Sequence, residues 1–211
     1  MNGLFITLEG GDGAGKSTQA ELLGRWLESL GREVVRTREP GGTDLGASLR
    51  NLLLHGADVA PRAEALLYAA DRAQHVAEVV RPAIARGAVV VQDRYIDSSL
   101  AYQGAGRPLD PVDIRRLSEW ATEGLWPSLT ILLDVAPELA AERRAAVGVA
   151  ADRLEREATE FHQRVRDEFL ALAQAEPDRF LILDAAAPIA ELHDAIVARV
   201  TPLLAGEPRP R

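Results

Sequence analysis

The chain has 211 residues, 47% hydrophobic and 27% charged, proportions that fit one folded domain with its own core. A formal net charge of -8, with no cationic run, argues against a protein that wraps a nucleic acid. With no cysteine there is no disulfide, no thiolate metal site and no cysteine nucleophile, and His55, His75, His162 and His193 show no metal-ligand spacing.

Met1-Asn2-Gly3 runs straight into a strand-like segment, and no apolar run approaches the roughly 18 residues of a membrane span. The expectation is a cytoplasmic protein of one domain, residues 1–205, with a frayed tail over 206–211. Strands are predicted at residues 4–8, 33–37, 88–92, 129–134 and 179–184, each short, apolar or β-branched, and bounded by Gly, Pro or charge. Leu23, Trp26, Leu27 and Leu30 form a first helical stripe, closed by Gly31. Leu154, Ala158, Phe161, Val165, Phe169 and Leu172 step by three and four along another, predicted to start at Leu154. Ile189, Leu192, Ile196, Val200 and Leu203 mark the last, opened by Pro188. Parallel neighbours need crossover connections, so this alternation predicts an α/β fold: a parallel five-stranded sheet with helices on both faces. Residues 143–153 interrupt the pattern and read as a small mobile lid loop.

After the first strand comes Gly10-Gly11-Asp12-Gly13-Ala14-Gly15-Lys16-Ser17-Thr18, a complete G-x-x-x-x-G-K-[ST] phosphate loop. Glycines let successive N–H groups turn inward around an anion, and the following helix presents its free donors to phosphate. Lys16 reaches the β and γ oxygens, and Ser17 offers an oxygen to Mg²⁺. Of the 24 basic residues, Lys16 alone is lysine, so the position is unlike every other cation in the chain. A guanine-reading N-K-x-D motif needs a second lysine, which excludes the usual GTPase. The third strand ends at Asp93-Arg94, where Asp93 can hold Mg²⁺ through water and Arg94 suits a fork gripping an acceptor phosphate. A phosphate loop alone still admits a motor, a transporter subunit, an assembly ATPase or a small-molecule kinase.

Three further segments narrow the choice: Arg38-Glu39-Pro40-Gly41-Gly42-Thr43, Leu66-Leu67-Tyr68-Ala69-Ala70-Asp71-Arg72-Ala73-Gln74-His75, and Asp93-Arg94-Tyr95-Ile96-Asp97-Ser98-Ser99-Leu100-Ala101-Tyr102-Gln103-Gly104. With the phosphate loop they resemble the bacterial thymidylate kinases, from Phe5 to the last helix. The resemblance implies a P-loop kinase sheet, a homodimer, ATP and dTMP as substrates with Mg²⁺, and ADP and dTDP as products. By the same resemblance thymine stacks on Tyr68, where phenylalanine is the commoner occupant. Arg72 donates to a thymine carbonyl, Gln103 reads the base edge, and Tyr102 crowds the sugar against a ribonucleotide. Arg94 and Arg50 hold the dTMP phosphate with Ser98 beside them, while Asp12, Glu39 and Pro40 lie near the sugar and metal.

The chain departs from that pattern at Ala47, where an acidic residue is common, at Gln92 and at Gly13, which an arginine occupies in one branch of the family. Chains without that arginine take the catalytic one from the lid. Here residues 145–151 contain no basic residue, leaving Arg143, Arg144 and Arg153, with Arg153 the first candidate and Arg144 the second. A kinase for another nucleoside monophosphate or a deoxynucleoside, and a non-kinase P-loop switch, are the remaining alternatives.

Overall fold

The computed structural model describes residues 3–147 and 152–205; the expected tail and residues 148–151 of the expected lid lie outside them. In chain order the elements are β1 Leu4–Glu9, α1 Lys16–Ser29, β2 Val34–Arg38, α2 Asp44–His55, α3 Pro61–His75 and α4 Arg81–Ala85. They continue with β3 Val89–Asp93, α5 Ile96–Ser99, α6 Pro111–Thr122, β4 Leu129–Asp134, α7 Pro137–Val147, α8 Thr159–Ala175, β5 Phe180–Asp184 and α9 Ile189–Leu204. Two π-helical segments, Val76–Val80 and Leu100–Ala105, extend α3 and α5.

All five strands pair in parallel, in the order β2-β3-β1-β4-β5. From β1 the chain moves to one side to build β2 and β3, then crosses to the other for β4. The carboxyl ends of β1 and β3 therefore flank a switch point, where open α/β sheets leave a crevice for ligands. In the observed register Leu8 and Arg38 both lie opposite Asp93, so three strands deliver their ends to that crevice.

Side chains alternate across β1 and β3. Leu4, Ile6, Leu8, Val89 and Val91 join Leu23, Leu27, Ile196 and Val200 under α1 and α9. Phe5 and Val90 face the opposite core with Tyr95, Phe161, Val165 and Phe169. Burial on both faces explains why these strands read as continuous apolar runs. Among the described residues, no helix is long and apolar enough to cross a membrane.

Two boundaries differ from the sequence reading. The helix expected from Leu154 starts at Thr159, because Asp152 Oδ1 accepts from the N–H groups of Leu154 and Glu155 at 2.9 Å each and closes a tight turn first. Leu154 is still buried, which is why it matched the stripe. The loop expected from Arg143 begins later, since the alanine-, glutamate- and arginine-rich run of α7 stays helical through Val147.

Candidate active site

The phosphate loop bends between β1 and α1 with Gly10, Gly13 and Gly15 at φ 130°, 87° and 93°. Gly13 is doubly constrained: a Cβ there would lie 2.7 Å from the carbonyl oxygen of Ala140, so α7 packs directly on the loop. Lys16 is buried, and its Nζ donates to the carbonyl oxygens of Gly10 at 3.1 Å and Gly11 at 2.8 Å. Burial first, then the charge of Arg94, lowers its pKa. Ser17 Oγ donates to Asp93 Oδ2 at 3.0 Å. Asp93 Oδ1 is buried without a partner among the described residues.

Arg94 follows at φ 67°, a left-handed conformation that is uncommon outside glycine. Its guanidinium meets Asp12 Oδ1 at 2.5 Å, Ser98 Oγ at 3.0 Å and Tyr102 Oη at 3.3 Å. Burial alone would raise the Asp12 carboxyl, but the charges of Arg94 and Lys16 outweigh it and hold Asp12 well below the usual carboxylate range. Asp12 thus belongs to the phosphate loop and to the arginine that ends β3.

Behind Arg94 opens a cavity. All ten residues expected around an acceptor nucleotide line it: Asp12, Glu39, Pro40, Arg50, Tyr68, Arg72, Arg94, Ser98, Tyr102 and Gln103. A second, more open cleft runs from Arg94 along Lys16, Ser17 and Thr18 to Arg143 and Arg144. The two spaces share Asp12, Glu39, Arg50 and Arg94.

The family model described as thymidylate kinase matches residues 8–196. The chain belongs to the thymidylate kinase family. A thymidylate kinase of Leifsonia xyli subsp. xyli is 65% identical over 199 residues, which cover 94% of each chain. One from Clavibacter michiganensis subsp. michiganensis is 61% identical over 206 residues, covering 97% of this chain and 98% of the relative. A crystal structure of thymidylate kinase from Ehrlichia chaffeensis matches with TM-score 0.78 at 32% identity, covering 95% of this chain and 99% of that one. The P-loop kinase fold expected from the sequence is the fold found.

Within this thymidylate kinase fold several of these side chains are held by protein partners. Both oxygens of Glu39, which lines both spaces, are held by protein partners, Oε2 by Arg72 Nε at 2.8 Å and Oε1 by His75 Nδ1 at 2.9 Å. Glu39 therefore orients Arg72. The other Arg72 nitrogens meet Ser118 Oγ at 3.3 Å, the Tyr95 carbonyl at 3.1 Å and Ser99 Oγ at 3.0 Å. Arg50 holds the Pro40 carbonyl at 3.1 Å. Arg153, the first candidate for catalysis, is buried against Leu53 O at 2.9 Å and pairs through Nη2 with Glu64. It lines neither cleft, whereas Arg144 lies beside Gly13 in the phosphate cleft.

Sequence reasoning missed Glu9, the last residue of β1. Fully buried, it accepts from Tyr95 N at 2.7 Å and Ser98 Oγ at 2.6 Å, tying the strand before the phosphate loop to the segment after Arg94. Burial, then the nearby charge of Asp97, pushes its pKa up to about 7. A lone carboxylate ending an otherwise apolar strand was the available signal. Asp97 was missed too; it pairs with Arg179 at 2.7 Å and 2.8 Å, 82 residues away.

Proposed function

We propose that this chain transfers the γ-phosphoryl group of ATP to dTMP, giving ADP and dTDP for dTTP synthesis. The observation that carries the reading is the meeting of the two spaces at Asp12 and Arg94: an aromatic, hydrogen-bonding cavity opens onto a phosphate loop. The acceptor atom is already an anionic phosphate oxygen, so no protein base is needed, and catalysis rests on alignment and charge neutralisation. Lys16 takes the β and γ oxygens, while Arg94 and Arg50 hold the acceptor phosphate. Arg144 replaces Arg153 as the arginine for the transferring group, because it alone of the two faces the phosphate cleft. Tyr68 offers its ring to the base, and Tyr102, hydrogen-bonded to Asp12 Oδ2 at 3.3 Å, stands where the sugar passes.

The residues fit a divalent cation at one point, where the unpartnered buried Oδ1 of Asp93 adjoins Ser17. Mg²⁺ bound there with ATP would neutralise charge on the β and γ phosphates. Among the described residues no cluster of three His, Asp or Glu side chains forms a metal cage.

A homodimer belongs to the same proposal: Trp120 is 81% exposed on α6, beside a shallow groove lined by Ala73, Val76 and Ala77. So does a cytoplasmic location, where both nucleotides are available. Incubation with ATP and dTMP, resolved by chromatography, is expected to yield ADP and dTDP in equal amounts. ATP loss without dTDP would instead support a P-loop switch.

A further inference from the structure

Glu64 is a fully buried carboxylate on α3, one helical turn before Tyr68. Its Oε1 accepts from Gln103 Nε2 at 3.0 Å and Arg107 Nε at 3.4 Å. Its Oε2 accepts from Arg107 Nη2 at 3.4 Å and from Arg153 Nη2. Burial alone would raise the carboxyl, but hydrogen bonds from Gln103 and Arg153 and the charge of Arg107 outweigh it and hold Glu64 below the usual range. Glu64 is therefore ionised and can only accept.

That fixes a group inside the cavity. A primary amide can present either its NH₂ or its oxygen, and its partners decide which. Facing a carboxylate, Gln103 must turn its NH₂ to Glu64, since the reverse would set acceptor against acceptor. Gln103 lines the cavity with Tyr68 and Arg72. Its Oε1, the atom left over from the bond to Glu64, meets no donor among the described residues. Arg72, in the same wall, carries only donors.

The cavity thus presents an acceptor and a guanidinium. A uracil-type edge, with an N3–H between two keto oxygens, complements both. Cytosine, with an acceptor at N3 and an amino group at C4, opposes both. On the acceptor reading above, we propose that Glu64 is a positioning residue for base specificity: by fixing the Gln103 amide, it admits 4-keto pyrimidine monophosphates and rejects the 4-amino kind. Arg107 and Arg153 balance its charge and allow the carboxylate to be buried.

The test compares kcat/KM for dUMP and dCMP, which differ only along this edge and both lack a 5-methyl group. In Glu64→Gln two amides face each other and either orientation of Gln103 becomes available. The dUMP to dCMP ratio is expected to fall by about tenfold or more, as when a site loses its one fixed polar partner. Arg107→Leu removes an ion pair of Glu64 without freeing the amide, and is expected to keep the wild-type ratio. If Glu64→Gln does not fold, the double variant Glu64→Gln/Arg107→Leu, which removes one charge of each sign, takes its place with the same expectation. An unchanged ratio in the folded Glu64 variant, or an equal fall in Arg107→Leu, overturns the assignment. Wild-type protein that leaves dTMP unphosphorylated overturns the acceptor reading itself, a separate outcome.

Discussion

Arg144 Nη1 donates to the main-chain oxygen of Asp12 at 2.8 Å, so α7 rests on the phosphate loop through an arginine. The contact depends on Gly13, over which α7 passes. The residue missing from the loop as an arginine and the arginine arriving from α7 thus share one geometry. Arg144 is only part-buried, so its loss leaves no buried charge unpaired. Arg144→Ala is expected to cut the single-turnover rate at saturating nucleotides by about 10³-fold, the scale of a charge-neutralising arginine, with little change in melting temperature. A wild-type rate in that variant would show that the charge is met elsewhere.

Arg153 should behave in the opposite way. Its guanidinium is fixed by Leu53 and Glu64 inside the protein, and breaking one side of a buried pair costs about 3–5 kcal/mol. Arg153→Ala is therefore expected to lower the denaturation midpoint strongly while folded enzyme retains its chemical step. Lost chemistry with unchanged stability would restore Arg153 as the catalytic arginine.

Lys16→Arg should abolish most transfer although the charge is kept. Lysine Nζ sits between two loop carbonyls at 2.8 Å and 3.1 Å, a space for a compact ammonium rather than a planar fork. Near-wild-type turnover would refute this shape requirement.

The pKa of Glu9 adds a pH dependence. The folded protein holds its proton up to about pH 7, whereas the unfolded chain releases it near the ordinary glutamate value of 4.5. Between those values the native state binds more protons, so this contribution to stability is fully present below 4.5 and lost as pH rises through about 7. Measured from about pH 5 to 8, wild-type stability is expected to decline relative to Glu9→Gln and to level off above about 7. A constant difference across that range would show that Glu9 is ionised throughout.

The base should also be read by its methyl group. Leu54, Tyr68 and Leu154 give the acceptor cavity an apolar wall. One methyl in such a pocket is worth about 1–3 kcal/mol, so dTMP is expected to exceed dUMP in kcat/KM by about tenfold to two-hundredfold. Equal values would mean that the C5 position faces solvent.

Local chemistry made much of this molecule legible from its residues alone. Strands buried on both faces declare themselves as apolar runs, and the phosphate loop needs its residue types in one continuous stretch. The ten residues that the family resemblance implied around an acceptor came from separate segments of the chain, and the fold brings all of them to one cavity. Partners far apart in the chain were not legible. Arg153 and Glu64 are 89 residues apart, so a buried pair looked like a free lid arginine. The contacts that hold the Glu39 carboxylate were equally hidden, because its partners, Arg72 and His75, lie 33 and 36 residues further on. Leu154 and Ala158 fitted a helical period that the turn around Asp152 interrupts.

Selection of dTMP as phosphoryl acceptor by the cavity behind Arg94 is tested most directly by a coupled assay. It gives kcat/KM for dTMP, dUMP, dCMP, dGMP and AMP side by side, with ATP as donor. The expected order is dTMP first, dUMP second, and dCMP and both purine nucleotides far below. A purine monophosphate phosphorylated as well as dTMP would contradict it.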